Sequence, residues 1–232
     1  MDTRIRLVAA AEKLFGEHGL NGVTLKEITK EAGQKNESAL HYHFGGKPKL
    51  VEAILRARVA VIDKRRVVLV DQLEREGRQD EPREIIWAAI EPLAGLLGSE
   101  EGARFVRFLA QAVGDPEVDM AAIAFDSQYD GIRRIGSMLD RTLEALPLEI
   151  SRLRRRLLIE MLVLALASWS RRRPVDDHAG RMLFLDNLID ASVGFLTAPV
   201  SSDTLLSLKV AQQTSDSTTS AFQVKTGAAS SS

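Results

Sequence analysis

Ser38, His41, Tyr42, His43 and Lys47 fall within ten residues of one another in a chain of 232. A hydroxyl, two imidazoles, a phenol and an ammonium can donate and accept hydrogen bonds and neutralise an anion. They do not make a catalytic set. His41 and His43 are two apart and cannot share a helix face, which removes a common metal ion. Neither G-x-S-x-G nor a phosphate-cradling glycine loop occurs, and no nucleophile has an evident base. The chain has no cysteine, which excludes disulfides, thiolate nucleophiles and cysteine-ligated zinc and fits a reducing cytoplasm. What remains is recognition chemistry, so no catalytic residue, metal or cofactor is expected.

These side chains need rigid elements to aim them. Thr24 is a good helix N-cap with Glu27 three residues on to complete a capping box, and Leu25 and Ile28 follow at helical spacing. Gly33 sits where a left-handed residue ends that helix. Asn36 can cap a second helix, with Leu40 and Phe44 four apart on one face. Ser38 and Tyr42 then lie on the opposite face, with Ala39 and His41 on its shoulders. A short helix with so small and polar an outer side suits insertion into a DNA major groove. Gly45 and Gly46 end it. Lys47 and Pro48 open a further helix whose start offers free N–H groups and an ammonium to a phosphate. Lys47 and Tyr42 are therefore expected on phosphates, with Thr24 and Lys26 as further candidates. Ser38, Ala39 and His41 are expected at base edges, and a solvated surface histidine is the plain alternative for His41.

Leu7, Ala10, Ala11, Leu14 and Phe15, then Gly19, Thr24, Ile28, Ala32, Gly33, Leu40, Tyr42, His43, Phe44 and Lys47 make the first fifty residues resemble the N-terminal domain of TetR-type transcriptional regulators. Order, spacing and residue type agree together. From Gly33 to Phe44 the chain carries one residue more than the common family pattern, placed in the turn around Gln34 and Lys35. The resemblance implies an all-α fold: a three-helix helix-turn-helix domain over residues 1–47 and a larger helical ligand-binding and dimerisation domain over 48–198. It also implies a homodimer on a palindromic double-stranded DNA operator, with a small effector coupled to the spacing of two heads.

A formal net charge of −1 argues against a protein that coats nucleic acid through bulk charge. The first fifty residues hold eight cations against six anions, a modest local excess. The N-terminal apolar stripe is interrupted by charges, unlike a signal peptide. From Pro48 a long helix is predicted to about Gln72 or Glu76, then a break over residues 75–82. Helices follow over 82–97, bent at Pro92, and over 100–113. Residues 116–145 fit two helices or one broken near Gly131. The stretch from Leu157 to Ala167 is apolar nearly all round, yet far short of the ~20 residues needed to span a bilayer. Such a helix needs two partners; with the one after it, over about 177–196, it could build a dimer interface or one subunit's core. No membrane association is expected. After Pro199 the Ser/Thr-rich composition predicts little ordered structure through residue 232, apart from a short helix around Leu205, Leu206, Leu208 and Val210.

Trp87, Phe105, Phe108, Phe125, Tyr129, Met138, Met161 and Trp169 could surround a cavity for an apolar or amphipathic effector, although core packing is the commoner fate of such residues. The expectation is thus a ligand-responsive repressor in the cytoplasm. Its alternative is a helical small-molecule-binding or scaffolding protein that does not bind DNA.

Overall fold

The computed structural model describes residues 2–34, 36, 38–124, 126 and 128–227, with side chains as far as residue 214. Helices are the only regular structure among them. Thr3–His18 (α1), Leu25–Glu31 (α2) and Ser38–Phe44 (α3) form the head, and Lys47–Arg75 (α4) leaves it. Pro82–Ala94 (α5), a 3-10 turn at Gly95–Gly98, Glu100–Val113 (α6), Met120–Ala124 (α7), Asp130–Thr142 (α8), Leu148–Arg172 (α9) and His178–Thr197 (α10) follow. Met1–Leu196 is one compact unit.

The head is held from both sides. Leu7, Ala11 and Phe15 of α1 are buried with Ile28, Leu40, Leu50 and Ile54, so one stripe on each of the four helices closes a single small core. Phe15 continues outward from that core: its ring stacks on Phe108 of α6 at 5.8 Å and 7°, a pairing worth roughly 0.5–1.5 kcal/mol beyond its burial. Gln111 of α6 accepts the Leu20 amide at 2.8 Å. Arg58 of α4 donates to Glu12 of α1 at 2.8 Å through Nε and to Glu101 of α6 at 2.7 Å through Nη2. The head therefore rests on α6 as well as on α4.

In the body, α4 packs between α5 and α8, and α6 against α9. Pro92 inside α5 has no N–H for the Ala88 carbonyl. The carbonyl beside it, Ala89 O, takes Arg66 Nε at 3.3 Å. The break in residues 116–145 falls before Asp130, not at Gly131, giving two helices. Gly131 has another job. A Cβ there would lie 2.6 Å from Arg66 Cβ and 2.9 Å from Asp63 O, so only glycine lets α8 press so closely on α4.

The helix α9 is apolar on two sides, as its composition demands. Leu158, Leu162, Val163, Leu166 and Ala167 are buried, while Leu153, Leu157 and Leu164 on its other side are exposed. Met182 and Leu183 of α10 are exposed too, Leu183 at 73%.

Thr197–Ser232 is a second unit. Where composition predicts little order after Pro199, Ser202–Gly227 is one helix (α11). The Ser201 hydroxyl caps it by accepting the Thr204 amide at 3.2 Å, and no Gly or Pro interrupts residues 200–226.

Candidate nucleic-acid interface

The helix-turn-helix is fixed by its termini. Thr24 Oγ1 accepts the Glu27 amide at 3.3 Å while Glu27 Oε2 accepts the Thr24 amide at 2.8 Å, a reciprocal capping box. The Thr24 hydroxyl also donates to Glu27 at 2.8 Å. Those bonds, led by the backbone amide, hold the Glu27 carboxyl below its ordinary range. Gly33, with φ of 68°, ends α2 by letting the Gln34 amide return to Thr29 O at 2.8 Å. Asn36 Oδ1 accepts the Ser38 amide at 3.1 Å and so caps α3. Gly45 closes it, its amide on His41 O at 2.8 Å.

Between those caps, the two faces of α3 separate as the spacing predicts. Leu40 and Phe44 are buried, whereas Ser38 and His41 are exposed and Tyr42 is 86% exposed. Ala39 is half-buried. His43 is half-buried, 5.2 Å edge-on to Tyr42 and 6.2 Å from Phe44 by ring centroids. It buttresses the tyrosine.

The cations divide into held and free. Lys13 pairs with Glu31 at 2.7 Å and Lys49 with Glu52 at 2.7 Å. Lys47, expected on a phosphate, donates to Val23 O at 3.1 Å with its ammonium 5.6 Å from the Phe15 ring centroid. It ties the start of α4 to the loop before α2, leaving two N–H groups for a second partner. Lys26 and Lys30 of α2 are exposed and have no acceptor among the described residues. Thr24 is exposed, but its hydroxyl is committed to the capping box. Sequence reasoning missed Arg4, whose guanidinium lies 5.4 Å over the Phe44 ring with no carboxylate partner among the described residues. An arginine in the first turn of one helix carries no local sign that it will stack on the end of another.

Seven of the eight side chains expected around an effector are among the described residues. Phe105 and Phe108 are core, 6.1 Å apart and tied through Phe108 to the head. Tyr129 is buried and its hydroxyl donates to Arg56 O at 3.2 Å. Met138 is buried; Trp87 and Met161 pack half-buried against the core. Trp169 stacks on Phe184 at 4.6 Å. Phe125 lies outside the described residues. An open cleft of about 390 Å³ between the end of α8 and the start of α9 is lined by others, among them Leu143, Leu146, Arg152 and Arg155.

With this geometry in place, comparison with known proteins gives one answer. Residues 7–54 match the family model described as bacterial regulatory proteins, tetR family, and residues 87–198 match the tetracyclin repressor-like C-terminal domain. The HTH-type transcriptional dual regulator CecR of Shigella flexneri is 32% identical over 111 residues, 46% of this chain and 49% of CecR. The HTH-type transcriptional repressor AcnR of Corynebacterium efficiens is 35% identical over 60 residues, 26% of this chain and 31% of AcnR. The chain thus spans at most about half the length of these two relatives. A tetR family transcription regulator from Shewanella sp. PV-4 shares the fold, with a TM-score of 0.58 at 16% identity over 84% of this chain and 96% of that one. Both ends of the compact unit match domains of one kind of bacterial regulator, and the chain belongs to the TetR family of transcriptional regulators.

Proposed function

We propose that the protein is a ligand-responsive repressor that binds an approximately palindromic operator as a homodimer, through residues 24–47 of each subunit. The observation that carries this reading is the outer face of α3, where Ser38, His41 and Tyr42 are exposed. Ser38 and His41 hydrogen-bond base edges, and the Ala39 methyl meets a thymine methyl. Tyr42, Lys26 and the remaining N–H groups of Lys47 take phosphates, with Arg4 beside them. Thr24 contributes by holding α2. The exposed apolar residues of α9 and α10 support pairing with a second copy, which places two recognition helices on successive major-groove faces about 34–36 Å apart, or a multiple of that. A ligand that binds the wrong-spacing state better lowers DNA affinity by its differential affinity for the two states.

Mobility shift on genomic fragments across a salt series tests the proposal. A specific complex whose affinity falls steeply with salt is expected. Tyr42→Ala should abolish it while leaving the melting temperature unchanged, because that side chain is 86% exposed. A chain that melts normally and binds no fragment specifically at any salt would be the scaffolding protein instead.

A further inference from the structure

The outer side of α9 carries one charge in a line of apolar residues. Leu153, Leu157, Glu160 and Leu164 follow at spacings of four, three and four, which keeps them in a single seam along the helix. The three leucines are exposed. Glu160 is the only charged residue between Arg156 and Arg171, and its side chain is 35% exposed.

Arg156, one turn earlier on the shoulder of the seam, donates its Nε to Glu160 Oε1 at 3.0 Å. Its Nη groups and Glu160 Oε2 make no other hydrogen bond among the described residues and face outward. Unused guanidinium N–H groups and an unused carboxylate oxygen are complementary to one another, so this face is complementary to a copy of itself. An apolar occupant would strip water from the pair and return nothing to it. A second copy of the chain brings one more guanidinium and one more carboxylate, and the four charges cancel. Leu157 and Leu164 flank Glu160 by three and four residues, so a two-fold pairing that lays leucine on leucine brings both Glu160 side chains to the axis.

We infer that Arg156 and Glu160 form a four-member charge cluster across the two-fold axis of the homodimer, each Arg156 bridging its own Glu160 and that of the second copy. The cluster selects one register from those the leucines alone would allow: sliding by a turn sets each carboxylate against a leucine, with no guanidinium across from it. A single polar position in a helical seam fixes register and partner in this way, at some loss of stability. Because α9 packs on α6, where the head is seated, the register also sets the distance between two heads. The inference rests on the homodimeric reading above and adds the residues that decide how the copies align.

Analytical ultracentrifugation of the full chain, with charge-reversed variants alone and mixed, tests the cluster. Arg156→Glu gathers only carboxylates at the axis and Glu160→Arg only guanidiniums, so each variant alone should associate at least about tenfold more weakly than wild type. Mixed in equal amounts, they should recover a dimer of wild-type affinity, since two positive side chains then face two negative ones. Both positions lie on an exposed face, so helical content by circular dichroism should be unchanged. If a reversed variant does not fold, Arg156→Gln serves in its place: it leaves two carboxylates unbridged and should weaken association about tenfold. Variants that each dimerise as the wild type does, or that separate and stay monomeric when mixed, overturn the inference. A wild-type chain that sediments as a monomer removes the homodimeric reading itself, whereas a dimer indifferent to these substitutions removes only the cluster.

Discussion

Replacing Lys47 by alanine separates two roles that one ammonium plays. The side chain is half-buried, bonded to Val23 O at 3.1 Å and 5.6 Å from the centre of the Phe15 ring. A hydrogen bond from a charged donor is worth about 1.5–3 kcal/mol when buried. Partial exposure reduces this, and the cation–π contact adds about 0.5–1 kcal/mol, so the head should lose about 1–2 kcal/mol. For a chain of this size that is a fall of about 2–8 °C in melting temperature. The DNA effect is independent of that loss and is read from its salt dependence. If each subunit loses one phosphate contact, the slope of log K against log salt should fall by about 1.8 for the dimer. The ratio of wild-type to variant affinity should then shrink about twelvefold between 50 and 200 mM salt. Gel shift or fluorescence anisotropy across that range decides. An unchanged slope with a lowered melting point would refute the phosphate assignment and leave Lys47 as a tether only.

Three further outcomes are expected. The Glu27 carboxyl is depressed by its bonds to Thr24, so the capping box should contribute fully above the ordinary carboxylate range and fade as pH falls through the lowered value; Glu27→Gln should flatten that acid limb in a melting-versus-pH series. Gly131→Ala puts a methyl 2.6 Å from Arg66 Cβ and should cost about 1–3 kcal/mol by overpacking, seen as a lower melting temperature. Leu157→Glu, on the exposed side of α9, should leave the fold intact and shift sedimentation from dimer to monomer; a dimer unchanged by this substitution and by Leu164→Glu would place the interface elsewhere.

The head was legible because its determinants are local. Thr24 and Glu27 are three residues apart, Leu40 and Phe44 four, and Gly33 follows its helix directly, so spacing alone placed the caps and the buried face. The same reasoning could not see that Lys47 turns back to Val23, or that Arg4 lies over Phe44, because those contacts join residues 24 and 40 positions apart. It also had no means of finding Asp63 and Arg66: two charges on a long, charge-rich helix look like a solvated face until α5 and α8 cover them. What the aromatic and methionine candidates pack against was hidden for a related reason. Helical spacing says that Phe105 and Phe108 point inward but not toward what, and Phe108 faces the head.

The stack of Phe15 on Phe108, the Gln111 amide and the Arg58 fork have a consequence for engineering. Consider a chimaera that joins the N-terminal segment of one such chain to the body of another at the start of α4. Here a transplant cut at residue 47 would carry α1 away from the surface that seats it, leaving Phe108 bare and the Leu20 amide without an acceptor. A working hybrid must import the matching α6 side chains at 101, 108 and 111 along with the new N-terminal segment. Amide exchange at Leu20 should report whether the seam has healed.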